Sequence, residues 1–168
     1  VGIKGVDTRA ITRHLRDRGA MRVGIFSDTK LSREDMVIKV RKSPQMTGAF
    51  LASDVTAPKK YVVPTKILKK FTVAAVDLGI KGATPRAMAE RGMEVHIFPI
   101  TSKLEEILEI NPDGIFLSNG PGDPSTMTDV ITMVREILSR KIPLFGICFG
   151  HQIIGRALGF DTYKLPFG

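Results

Sequence analysis

The single cysteine of the chain, Cys148, lies between two glycines directly after an apolar run. With Gly146 and Gly150 it forms the pattern G-x-C-x-G, the thiol counterpart of the G-x-S-x-G turn that presents a nucleophilic serine between a strand and a helix. The N-terminus of the following helix favours a thiolate at Cys148 and places the Phe149 amide to bind an oxyanion. A lone cysteine in another setting is more often a buried structural thiol. In this setting the pattern predicts a nucleophile.

A second glycine-rich segment, NGPGDP at residues 119–124, also follows an apolar run directly. Two glycines around a proline suit a tight turn, but a turn alone does not explain why the segment falls beside the cysteine motif. Backbone without side chains can bring amides close to a substrate carbonyl. The chain has neither G-x-G-x-x-G spacing here nor a G-x-x-x-x-G-K-[ST] loop elsewhere, so nothing in the sequence supports nucleotide binding by this chain.

Both motifs fall at the ends of predicted strands in an alternation of strands and helices that starts at Phe71. Four apolar runs predict the strands, and a helical pattern follows each of them: FTVAAVDLG, EVHIFPI, GIFLSNG and PLFGIC. Continuous apolar strands alternating with helices indicate an α/β fold with an open parallel sheet and helices on both faces. Sites in such folds form at the carboxyl ends of the strands, where both motifs lie.

The residues before this alternation are organised differently. They predict a helix with Thr8 as its N-cap, a short strand in MRVGIFSD and a second helix capped by Ser32. Three prolines and two lysine pairs follow before residue 71, which is typical of a connecting segment. We therefore expect residues 1–66 to hold the end of a small N-terminal α/β domain with its linker. Residues 67–168 would then hold the first part of a second domain.

The net charge of +8 is carried by the first part of the chain: residues 1–70 have a balance of +10 and residues 71–168 of −2. A basic part can bind nucleic acid, but it can also be a solvated surface or a docking face for an acidic partner. No zinc-finger spacing or aromatic RNA-binding pattern favours nucleic acid. No apolar stretch approaches the roughly 18 residues of a membrane span. One cysteine fits a reducing, cytoplasmic setting.

FLSNGPGDP together with FGICFGHQ resembles the class I, triad-type glutamine amidotransferases. Within that family the chain is most similar to the small, glutaminase subunits of carbamoyl phosphate synthetases, and VDTRAITRHLRDRGAMRVGIFSD, AAVDLGIKG and LGFDTYKLPFG extend the likeness over essentially the whole chain. The resemblance implies a nucleophile at Cys148, oxyanion and substrate contacts at Gly120, Gly122 and Phe149, and a glutamine contact at Gln152. It implies thiolate attack on the glutamine carboxamide, release of ammonia and hydrolysis of a glutamyl thioester.

The same resemblance implies the partners and cofactors. Ammonia would pass to a large subunit that makes carbamoyl phosphate from bicarbonate and ATP, for arginine and pyrimidine synthesis. ATP and magnesium would be bound by the large subunit, and this chain would bind no cofactor or metal. We expect L-glutamine and the large subunit as partners, and no nucleic acid or membrane.

A cysteine nucleophile of this type needs a histidine base and a residue that orients it. His14 lies in the basic N-terminal helix, His96 lies within the second strand of the predicted sheet, and His151 follows Cys148 at a position that the resembling family does not use. In that family the base and its glutamate lie far downstream of the region that ends here with Gly168. We therefore expect a fragment of an amidotransferase that does not, alone, turn over glutamine at a useful rate.

Three other functions stay open. The chain could belong to another class I amidotransferase, although the glutaminase domains that serve anthranilate or guanylate synthesis lack its basic N-terminal part. It could be a non-catalytic module that docks a partner subunit. This alternative stays open because none of the three histidines is an evident base. A cysteine peptidase or hydrolase of similar fold is the weakest alternative, because NGPGDP has no obvious role there.

Overall fold

The computed structural model describes residues 2–27 and 30–166. These residues form two compact units, one with the residues up to Gln45 and those from Tyr163 onward, the other with residues 46–162. The elements in chain order are α1 (Thr8–Arg18), α2 (Arg33–Lys42), α3 (Ala52–Val55), β1 (Tyr61–Val63), β2 (Phe71–Asp77), α4 (Ala83–Ala89), β3 (Met93–Pro99), α5 (Leu104–Leu108), β4 (Gly114–Leu117), a 3-10 turn (Pro124–Thr126), α6 (Thr128–Ser139), β5 (Leu144–Gly146) and α7 (Phe149–Ala157). None of the described helices is long and apolar enough to cross a membrane.

The first unit contains α1 and α2, neither of which buries a residue. Ser32 caps α2 as predicted. The prediction of Thr8 as the cap of α1 is wrong: Asp7 holds that place, and its carboxylate accepts a hydrogen bond from the Ala10 amide at 2.9 Å. The predicted strand is also wrong over residues 21–27, because a strand needs a hydrogen-bonded neighbour and no described residue pairs with this segment.

The second unit is built on one sheet, whose described strands run in the order β1-β3-β2-β4-β5. The pairs β2–β3, β2–β4 and β4–β5 are parallel, so the four strands predicted from apolar runs and the α/β fold are confirmed. β1 pairs with β3 in the antiparallel direction, which makes the sheet mixed rather than purely parallel. This edge strand has three residues and lies in the proline-rich segment that we expected to be a linker.

Residues 46–66 pack within the sheet unit, although the sequence suggests that they belong with the N-terminal domain and linker. Ala52 is fully buried in the main core cluster. The Thr56 hydroxyl donates to the Asp77 carbonyl at 2.7 Å, and the Ala57 amide donates to the Asp77 carboxylate at 2.8 Å. The chain passes from one unit to the other between residues 45 and 46 and again between residues 162 and 163; the domain bounds 1–66 and 67–168 stay a prediction. Composition cannot reveal contacts between residues so far apart in the chain.

Helices cover both faces of the sheet. On one face, buried side chains of α5, α6 and α7 pack with the strands in one cluster, which includes Ile107, Val134 and Ile153. On the other face a smaller cluster contains Ile97 and Phe116, and Met88 of α4 packs against it. Burying both faces leaves the carboxyl ends of the parallel strands as the edge at which loops can build a site.

Candidate active site

Cys148 occupies the sharp turn between β5 and α7. Its backbone has φ 52° and ψ −108°, a combination that residues with side chains rarely adopt and that costs on the order of 1–3 kcal/mol. The side chain is exposed. A strained, exposed residue between a strand and a helix has the geometry of a nucleophile elbow.

This turn requires both glycines of the motif, because neither position has room for a side chain. A Cβ atom on Gly146 would lie 2.6 Å from the carbonyl carbon of Gly150. A Cβ atom on Gly150 would lie 2.4 Å from the carbonyl oxygen of Leu117 in β4. Both clashes are with backbone, which cannot turn away as a flexible side chain can. The glycines thus let α7 approach the turn and β4 closely enough to form the elbow.

Backbone amides without protein acceptors lie at the same edge of the sheet. Among the residues that the structure describes, none accepts a hydrogen bond from the amide of Phe149, the first residue of α7, or from those of Gly120 and Gly122. The Gly150 amide donates to the Ser118 carbonyl at 3.1 Å. This bond ties the elbow to the residue directly before the NGPGDP segment, residues 119–124, which we call the glycine loop. Unpaired amides can stabilise an oxyanion when they point at the carbonyl that a thiolate attacks. The roles of these three residues stay predictions.

Gln152 lies one helical turn beyond Cys148, exposed on α7, and its backbone amide donates to the Cys148 carbonyl at 3.0 Å. Its side chain is therefore available to a ligand at the elbow, and its contact with glutamine stays a prediction.

The histidines do not supply an evident base. His96 lies on β3, where its Nε2 is 3.1 Å from the Glu94 carboxylate; this hydrogen bond, followed by one from Lys69, lowers the pKa of Glu94. Two strands lie between β3 and β5. At the usual strand spacing, His96 is therefore roughly 14 Å from β5, the strand that leads to Cys148. His151 is exposed in the first turn of α7. His14 is exposed on α1 of the other unit.

Asp77, at the end of β2, is a buried carboxylate that belongs to none of the predicted site residues. Only 3% of its surface is exposed. One carboxylate oxygen accepts hydrogen bonds from the amides of Gly79 and Ile80 at 2.8 and 2.7 Å, and the other accepts one from Ala57 at 2.8 Å. The signal that could have revealed it is a charged residue at the end of a continuous apolar strand, where a carboxylate needs compensating donors. Among the described residues, no group of three or more His, Cys, Asp or Glu side chains could hold a metal ion.

Ser118 links the ends of β2 and β4 and carries a testable prediction. Its buried hydroxyl accepts a hydrogen bond from the Leu78 amide at 2.9 Å and donates to the Asn119 carbonyl at 2.7 Å. Ser118→Ala leaves the Leu78 amide without an acceptor, so we expect the free energy of unfolding to fall by about 1–3 kcal/mol. Urea unfolding measures it. Ser139→Ala is the control, since that hydroxyl is exposed; equal losses in the two variants would contradict the prediction.

Comparison with known proteins agrees with this geometry. The sequence profile of the family "Glutamine amidotransferase class-I" matches residues 74–168, which include the glycine loop and the elbow. The chain is 61% identical to the carbamoyl phosphate synthase small chain of Streptomyces avermitilis, 58% to that of Streptomyces coelicolor and 53% to that of Mycobacterium tuberculosis. Each match covers all of this chain but only 44%, 44% and 46% of the relative, so the chain spans less than half their length. The profile covers more than half of the chain, which therefore belongs to the class I glutamine amidotransferases.

Proposed function

We propose that the chain carries the nucleophile for glutamine hydrolysis in the small chain of a carbamoyl phosphate synthase. The observation that carries the proposal is the strained backbone of exposed Cys148 between two glycines that cannot accept a side chain. The likeness to carbamoyl phosphate synthase small chains extends over residues 1–73, which lie outside the amidotransferase profile. That coverage supports this member of the family over one that serves anthranilate or guanylate synthesis.

In the proposed reaction the Cys148 thiolate attacks the side-chain carboxamide carbon of glutamine. A C–S bond forms and the carbonyl oxygen becomes an oxyanion, which the amides of Phe149, Gly120 and Gly122 would bind. As this intermediate collapses, the nitrogen takes a proton from a general acid, the C–N bond breaks and ammonia leaves. Water then hydrolyses the thioester to glutamate. Gln152 would hold the substrate, and the histidine–glutamate pair that moves the protons stays predicted downstream of this region.

The proposed partner is the large subunit of the synthase, which would use the released ammonia with bicarbonate and ATP. By the likeness to carbamoyl phosphate synthase small chains, we propose that ATP and magnesium are bound there. The proposed setting is the cytoplasm, where a single reduced thiol persists. Binding of the purified large subunit to this chain would support this assignment, and a failure to bind would favour another amidotransferase.

The rate of Cys148 alkylation against pH, with and without glutamine, tests the function. The chain has one cysteine, so intact mass reports the reaction at that residue alone. We expect rapid alkylation at neutral pH and protection by glutamine, since substrate at the elbow would block the sulfur. Asparagine, one methylene shorter, is the matched ligand control and should protect much less.

Slow alkylation with the pH profile of a free thiol, without protection by glutamine, would contradict the proposal for this chain. Gln152→Ala separates the two parts of the site. Without glutamine this variant should be alkylated at the wild-type rate, but it should need a higher glutamine concentration for protection. If alkylation is fast but insensitive to glutamine in both wild type and Gln152→Ala, the result would favour a non-catalytic module that docks a partner subunit over a glutaminase.

A further inference from the structure

The glycine loop is held by a segment that no motif identifies, residues 46–51. The Asp123 amide donates a hydrogen bond to the Ala49 carbonyl at 2.9 Å. Gly122 lies so close to the same carbonyl oxygen that a Cβ atom on it would be only 2.6 Å away. Its φ of +103° also favours glycine. The backbone of residues 122–123 therefore lies directly on residues 49–51.

The Asp123 carboxylate adds a contact with each of its oxygens. Oδ1 accepts hydrogen bonds from the amide and the hydroxyl of Ser125, at 2.9 and 2.7 Å, and so caps the 3-10 turn. Oδ2 accepts one from the Gly48 amide at 2.8 Å, across 75 residues of sequence. The Gly48 amide, followed by the two Ser125 donors, lowers the pKa of Asp123, so the carboxylate is ionised at neutral pH.

Capping the 3-10 turn does not require both oxygens. An asparagine or serine at residue 123 could accept from Ser125 alone, as at an ordinary cap. The bond from Oδ2 to Gly48 performs a separate task, because it joins the glycine loop to residues 46–51. Those residues are fixed in turn by Ala52, which is fully buried in the core. On the side of Asp123, the loop is thus tied to a segment that is anchored in the core of the unit.

The opposite side of the loop is also anchored. The Asn119 side-chain amide donates to the Gly79 carbonyl at 2.8 Å. A Cβ atom on Gly120 would lie 2.1 Å from the Leu78 carbonyl oxygen. Gly120 and Gly122 are therefore held between two anchors, and the orientation of their unpaired amides depends on both.

We propose that Asp123 is a positioning residue, whose bond to Gly48 fixes the Gly120 and Gly122 amides in the orientation that stabilises an oxyanion at Cys148. The inference rests on the proposed function and deepens it. Asp123 touches neither substrate nor sulfur in this role. Its effect is confined to steps in which negative charge develops on a carbonyl oxygen.

Two reactions of the sole thiol of the 168-residue chain separate this role from general damage. In acylation by p-nitrophenyl acetate, the thiolate attacks the ester carbonyl, an oxyanion forms and p-nitrophenolate leaves. In alkylation by iodoacetamide, a C–S bond forms as the C–I bond breaks, and no oxyanion forms. Asp123→Asn should lower the acylation rate about tenfold, less than the loss of a whole oxyanion donor. It should leave the alkylation rate within about twofold.

Three variants complete the test. Asp54→Asn removes one exposed carboxylate from the same unit and should change neither rate. Ser125→Ala keeps the Gly48 bond and should acylate within about twofold of wild type. Asp123→Ser keeps a cap but is too short to reach Gly48, so it should lose acylation as Asp123→Asn does, and it serves if that variant does not fold. The expected acylation rate of each variant depends on whether the Gly120 and Gly122 amides keep their orientation.

Unchanged acylation in both Asp123 variants, or an equal fall of acylation and alkylation, would overturn the proposal. So would a fall in Ser125→Ala as large as that in Asp123→Asn, since the cap rather than the Gly48 bond would then be responsible. The test uses no glutamine, so its result is distinct from that of the proposed function. If glutamine fails to protect the wild-type thiol, the glutaminase assignment fails, while the ratio of acylation to alkylation still decides the role of Asp123.

Discussion

Replacing Cys148 with alanine is expected to lower the rate of glutamine hydrolysis by at least about 10⁴-fold, because binding and oxyanion stabilisation alone retain little of the rate once a covalent nucleophile is lost. The rate to measure is glutamate release by the complete protein with the proposed large subunit. Alanine can occupy the same strained backbone as cysteine, so the elbow and its neighbours should keep their structure. The effect should therefore appear in kcat rather than in the unfolding curve.

Free ammonia provides the control for the Cys148→Ala experiment. If the thiol acts only on glutamine, the variant should make carbamoyl phosphate from ammonia, bicarbonate and ATP at the wild-type rate. Loss of synthesis with both nitrogen donors would indicate a misassembled complex instead. Glutamine hydrolysis within tenfold of the wild-type rate would exclude Cys148 as the nucleophile.

Gly150→Ala is expected to lower the free energy of unfolding of the sheet unit by about 3 kcal/mol or more, because overpacking against backbone cannot be relieved by a rotamer change. The new Cβ atom would lie 2.4 Å from the Leu117 carbonyl oxygen. It would push α7 away from β4 and break the hydrogen bond from the Gly150 amide to Ser118. The strained turn at Cys148 would then relax, and alkylation of the thiol should slow.

Gly155→Ala is the matched control in the same helix. A Cβ atom on Gly155 would meet no atom within 4 Å. Alanine is a better helix former than glycine, so this variant should be more stable than wild type by about 0.5–1 kcal/mol. Urea unfolding and the alkylation rate should be measured for both variants. Equal stability of the two would show that the close approach of α7 to β4 does not depend on glycine at residue 150.

The sheet and the elbow could be predicted from the sequence because their signals are local. A buried parallel strand must be apolar on both faces, so β2, β3, β4 and β5 each appear as a continuous run. The helices between them follow from their own periodicity. The spacing of Gly146, Cys148 and Gly150 predicts the elbow, since a turn this sharp requires small residues on both sides of Cys148. Charge and composition show only that the first part of the chain is basic.

The tertiary structure alone decided how the glycine loop is held. β1 is short, and its place beside β3 depends on a strand some thirty residues later in the chain. Asp77, Ser118 and Asp123 accept hydrogen bonds from amides 20, 40 and 75 residues away. Such pairs leave no periodic pattern, because one partner is a backbone amide that every residue except proline carries. The sequence therefore identified the candidate nucleophile, and the fold decided which residues hold the glycine loop in place.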